Sequence, residues 1–115
     1  MHPSITEFIL HIKDETDFCI KQTEGLTFET FQNDEVLSRA IVRSLEIIGE
    51  ATKKLPPEFI AHFPFVDWKD MAGMRDRLIH QYFGVDMEIV WNTIKQDLPN
   101  LSVWIDPMIK YSKGE

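Results

Sequence analysis

The sequence predicts an all-α protein, an antiparallel bundle of four or five packed helices forming one domain over residues 1–115. Three observations carry this. Apolar residues recur at steps of three and four along most of the chain, and no segment alternates with the period of two that a strand requires. A chain of 115 residues has room for one core, and 43% hydrophobic with 27% charged residues is an ordinary globular balance.

Ser4 followed three residues later by Glu7 reads as a capping box, so a first helix is expected over about residues 4–23. Ile5, Phe8, Ile9, Ile12, Phe18 and Cys19 form its apolar stripe, and Gly25 is a C-terminal stop. Asn33 or Asp34 caps a second, in which Leu37, Ala40, Ile41, Ser44, Ile48, Ala51 and Leu55 continue until Pro56-Pro57 forbids extension. Asp67 caps a third running through Met71, Met74, Leu78 and Tyr82 to Gly84. After Asp86, the positions Met87, Val90, Ile94, Leu98, Leu101, Ile105 and Met108 repeat at near-heptad spacing, in a span that Pro99 and Pro107 should bend or divide.

One cysteine, Cys19, cannot form a disulfide within its own chain, and no apolar run approaches the ~18 residues of a membrane span. A cytoplasmic location is the expectation, neither secreted nor inserted. The net charge of −7 is unusual for a nucleic-acid binder, because phosphate affinity comes mainly from Lys and Arg. The charge is uneven, however. Residues 39–77 carry +1 and the remainder −8, so local RNA contact is permitted. Within the second helix Arg39, Arg43, Glu46 and Glu50 share one face, either a solvated salt-bridged surface or a partner or active-site surface.

The third helix holds the chemistry-bearing run, Met74-Arg75-Asp76-Arg77-Leu78-Ile79-His80-Gln81-Tyr82-Phe83-Gly84. An imidazole near its ordinary pKa of ~6.5 can take a proton from a 2′-hydroxyl or give one to a leaving oxygen. A guanidinium can hold a phosphate as negative charge builds. Arg75 and His80 are five residues apart, which on an ideal helix separates them by about 140° and ~7.5 Å. Either the helix loosens near His80 or the site is a cleft between two copies, the reading favoured here. Each residue also has a plainer role available: His80 as a charge on the helix dipole, Arg75 covering core with its stem, Tyr82 as a core aromatic. The scattered His2, His11, His62 and His80 with Cys19 offer no zinc-ligand spacing, and no glycine-rich phosphate loop is present. Any nuclease chemistry is therefore expected to need neither metal nor cofactor.

Arg75, His80 and Tyr82 form an Arg-x4-His-x-Tyr pattern, and with it the sequence resembles the HepT family of HEPN-domain toxins. Arg43-Ser44-Leu45-Glu46-Ile47-Ile48-Gly49-Glu50-Ala51 resembles the family's second-helix motif. Ala72 to Asp86 resembles the block around its active site, with Asp76 at the polar position following the family arginine, and Ile89-Val90-Trp91 and Asp97-Leu98-Pro99 continue the likeness. The resemblance implies a dimer-forming HEPN bundle and an RNA-cleaving toxin, with tRNA among the family's substrates. Arg75 and His80 would be catalytic; Arg39, Arg43, Glu46 and Glu50 of the charged stripe, with Asp76, are the candidate supporting or substrate-contacting residues. It also implies a partner, the minimal nucleotidyltransferase antitoxin MntA, which transfers AMP from ATP to the motif tyrosine, here Tyr82. The competing readings are a non-catalytic helical dimer serving as a partner or substrate-binding subunit of a small nucleotidyltransferase, and a purely structural bundle. The latter leaves the charged stripe and the Arg–His pair unexplained.

Overall fold

The computed structural model describes residues 3–79 and 86–115, with the side chains of Pro3, Ser4, Arg75, Arg77 and Ile79 outside that description. Four long rods make the bundle: α1 (Pro3–Thr23), α3 (Glu35–Lys53), α5 (Trp68–Ile79), and a last rod in which α6 (Met87–Asn92), a π-helical turn (Thr93–Asp97) and α7 (Leu98–Ser112) run on without a break. Two six-residue helices, α2 (Phe28–Asn33) and α4 (Pro57–His62), bridge the rods. No strand occurs among the described residues.

The caps follow local chemistry. Gly25 closes α1 at φ 74, where a side chain would be strained, and Leu26 N–H donates back to the Thr23 carbonyl at 3.2 Å. The Asp34, Asp67 and Asp86 carboxylates accept backbone N–H groups of Leu37, Asp70 and Glu88, each at 3.0 Å, at the starts of α3, α5 and α6. Helix α1 already includes Pro3, so Ser4 lies inside its first turn and not ahead of it as a capping box requires. Helices α2 and α4 were not expected, because six residues are too few to display a period. Their signals are local: the Thr27 hydroxyl accepting Thr30 N–H, and Pro57 opening α4 where a missing N–H costs nothing. Neither proline divides the rod as expected: Pro99 falls in the first turn of α7, directly after the π turn, and Pro107 sits inside α7.

The rods run antiparallel to their neighbours. Thr6 and Ser112 share a hydroxyl hydrogen bond of 2.8 Å, while Lys95 Nζ donates to the Thr23 carbonyl at 3.0 Å, so α1 and the last rod meet start to end. Lys54 Nζ lies 5.6 Å from the Phe8 ring centre, and Phe18 lies beside Ala40 and Arg43, which orients α3 against α1. At the Lys54 end, the Phe59 ring meets Trp68 and Tyr111; at the other, Trp91 packs on Phe28 and Phe31. Helix α5 therefore starts at the Lys53 end of α3 and heads toward its Asp34 end.

One core joins the rods, drawing Ile9, Ile12 and Cys19 from α1, Ile41, Leu45 and Ile48 from α3, Met71, Met74 and Leu78 from α5, and Val90, Ile94, Leu98, Leu101, Ile105 and Met108 from the last rod. In the π turn Leu98 N–H donates to the Thr93 carbonyl, five residues back, in place of the usual four. No helix among the described residues is long and apolar enough to cross a membrane.

Candidate active site

Helix α5 carries the backbone of Arg75. The Arg75 side chain, and all of His80 and Tyr82, lie outside the described residues. The rest of the expected set is placed. Asp76 accepts a two-pronged contact from Lys53 Nζ, 3.1 and 3.2 Å to its two oxygens, with both side chains about half exposed. That ion pair ties the motif-bearing part of α5 to the C-terminal turn of α3.

Along α3 the core side is taken by Ile41, Leu45, Ile48 and Thr52, which leaves the charged stripe facing out. Arg39 Nη2 donates to Glu35 Oε1 at 2.7 Å, with both side chains well exposed, at 79% and 75%. Arg43 is exposed at the edge of a shallow depression of about 420 Å³ lined also by Asp14, Glu15, Phe18, Ala40 and Ser44. Glu46 and Glu50 are half-buried. From the Lys53–Asp76 contact α5 proceeds toward the Glu50 and Glu46 level of α3, so Asp76 stands at one end of the stripe.

Lys53 was absent from the expected set. Its signal was present in the spacing, because Lys53 continues the Arg39, Arg43, Glu46, Glu50 series by another step of three and is the cation available to an acid on the neighbouring helix. Another concavity, of about 580 Å³, opens elsewhere, between Ile5, Pro56, Phe59 and Tyr111. Its lining is mostly apolar and includes none of the expected site residues, so volume does not mark the motif. Beside Ser44 the buried Cys19 thiol is pushed up to about 12 by desolvation, a hydrogen bond with Ser44 offsetting part of the rise; it is a core group and not a nucleophile. Among the described residues no group of three or more His, Cys, Asp or Glu side chains converges.

The model of the family described as "Ribonuclease HepT-like" matches residues 7–108. The chain is 48% identical over 106 residues to "Putative RNase TTE0752" of Caldanaerobacter subterraneus subsp. tengcongensis, covering 92% of this chain and 95% of that one. It is 43% identical over 109 residues to "Putative RNase MJ0127" of Methanocaldococcus jannaschii, covering 95% and 87%. It is 41% identical over 101 residues to "Probable ribonuclease HepT" of Thermococcus cleftensis, covering 88% and 92%. No solved structure matches the chain. The helical bundle, the match along nearly its whole length and the full-length relatives agree, and the chain belongs to the HepT-like ribonuclease family, enzymes that act on RNA.

Proposed function

We propose that residues 1–115 act as a single HepT-like domain, a metal-independent RNA endonuclease that is the cytoplasmic toxin of a toxin–antitoxin pair and works as a homodimer. His80 moves the proton, taking it from the attacking 2′-hydroxyl or giving it to the leaving 5′-oxygen, and Arg75 holds the phosphate as charge builds on it. The observation that supports this assignment is the Lys53–Asp76 contact, which shows that the turn of α5 carrying the backbone of Arg75 lies beside the C-terminal end of the charged face of α3. Asp76 next to Arg75, with Arg39, Arg43, Glu46 and Glu50 along α3, forms the polar surround that a phosphodiester substrate such as tRNA would meet. An antitoxin of the minimal nucleotidyltransferase type would silence the enzyme by moving AMP from ATP to the Tyr82 hydroxyl with release of pyrophosphate, placing a phosphate where the RNA backbone must lie.

The test is RNA cleavage by the purified chain in the presence of a chelator. His80→Ala and Arg75→Ala should each lower the rate by about 10²–10⁴-fold with helicity unchanged. Equal cleavage by wild type and His80→Ala overturns the catalytic assignment, and activity lost to EDTA overturns the metal-free mechanism. With partner and ATP, intact mass should rise by whole AMP units in wild type and stay unchanged in Tyr82→Phe; equal labelling of both would move the modification site elsewhere. The net charge of −7 favours a second reading, a non-catalytic partner or substrate-binding subunit of a small nucleotidyltransferase, for which all variants would be equally inert toward RNA.

A further inference from the structure

The outer face of α3 is self-complementary. Arg39, Arg43, Glu46 and Glu50 fall within about 60° of one another around the helix and span about 16 Å along it, out of the nineteen residues of α3. Their order is two cations and then two anions. Docked parallel, two such faces set like against like. Docked antiparallel with a two-fold axis midway between Arg39 and Arg43, they set arginines against each other; with the axis midway between Glu46 and Glu50, they set glutamates against each other. An axis crossing α3 midway between Arg43 and Glu46 matches every charge, Arg43 meeting Glu46 of the second copy and Arg39 meeting Glu50, with both contacts repeated by symmetry.

We propose that α3 docks against a second copy of itself in this antiparallel register, so that each copy contributes its stripe to one shared face beside both α5 helices. The proposal rests on the dimeric reading given above and deepens it by naming the surface. Charge complementarity selects the occupant, and the margins of the stripe fit a protein partner: Val36, 81% exposed, lies one turn before Ala40, and half-buried Ile47 lies one turn after Arg43. Phe18 of α1, 37% exposed, extends the apolar margin beside Arg43. The contacts that Arg39 and Glu50 already make within the chain are compatible, because a guanidinium has five donors and can serve two carboxylates, and the two oxygens of a carboxylate can accept from more than one donor. In this register each copy's Lys53–Asp76 contact stands at the outer end of the shared face, so Arg39 of one copy approaches the Glu50 end of the other, where α5 passes.

Two reciprocal charge variants test this. Arg39→Glu with Arg43→Glu makes the stripe wholly acidic, and Glu46→Arg with Glu50→Arg makes it wholly basic. Sedimentation or native mass of the full chain should show a wild-type dimer, each double variant dissociating at least about tenfold more readily. Mixing the two variants, distinguished by mass, should restore a dimer holding one of each, within about threefold of wild-type affinity. That recovery requires both variants to be folded and cannot come from a general loss of structure. A wild-type chain that stays monomeric overturns the dimeric reading itself. Variants that remain dimers overturn only the α3 register, and variants of unchanged mass that bind RNA less well assign the arginines to RNA contact instead.

Discussion

Two seams of the bundle are closed by different means. The seam between α1 and the last rod is pinned at both ends by hydrogen bonds using Thr6, Ser112, Thr23 and Lys95, and Thr23 and Ser112 are fully buried. The seam between α3 and α5 has Met71, Met74 and Leu78 inside and the half-exposed Lys53–Asp76 pair outside. A buried polar group left without its partner costs about 1–3 kcal/mol, whereas an exposed ion pair is worth about 0–1 kcal/mol. The first seam fixes register for stability. The second leaves its polar groups at the surface, where substrate or a second copy can reach them.

The largest expected effect tests whether apolar contact holds the second seam. Met74→Ala should cost roughly 2–5 kcal/mol in chemical denaturation, since Met74 is wholly buried. A loss under ~1 kcal/mol would mean that α5 is held from outside after all.

High pH tests the packing of α1 on α3. The thiol of Cys19 ionises near 9.0 when free and at about 12 when folded, so the unfolded chain releases its proton first. The stability tied to this group is intact below pH 9 and is lost as pH rises toward 12, by up to about 1.4 kcal/mol per unit. Cys19→Ala should flatten that part of the curve relative to wild type; parallel curves would mean that the thiol is not held in the core.

Ser112→Ala should cost about 1 kcal/mol by removing the Thr6 contact. The smallest effect is Lys53→Met, under ~1 kcal/mol in stability. If Asp76 is held for function, the same change should lower RNA cleavage by more than its effect on stability explains, and Lys53→Arg should restore much of the rate. Should Lys53→Met destabilise more than Ser112→Ala, the contrast between the seams is wrong.

The same contrast explains what could be read in advance. Long amphipathic rods were legible because burial imposes a period: Val90, Ile94, Leu98, Leu101, Ile105 and Met108 were all picked out by spacing and all lie in the core. The capping aspartates Asp34, Asp67 and Asp86 were legible because a short acceptor before a periodic run has one local use. Helices α2 and α4 were not, since their stability comes from contacts such as Phe31 on Trp91 and Phe59 on Tyr111, between residues distant in sequence. Of the candidate site, the outward stripe of α3 was visible from its spacing, but the Lys53–Asp76 pairing depends on how α5 is set against α3, which neither helix encodes alone.

The π turn at Thr93–Asp97 acts as a phase corrector in the last rod. One extra residue rotates everything before it by about 100° relative to everything after it. Here that offset separates Val90 and Trp91, the first in the core and the second against Phe28 and Phe31 of α2, from the buried Leu98 and Leu101 of α7, the helix that packs on α1, within one unbroken rod. A length change there would therefore behave unlike one in a surface loop. Removing Gln96, itself exposed, would restore ordinary helical bonding and at the same time swing Trp91 off Phe28 and Phe31 and withdraw the Lys95 ammonium from the end of α1. A relative that lacks the extra residue of this turn would have to re-time the apolar pattern on one side of it.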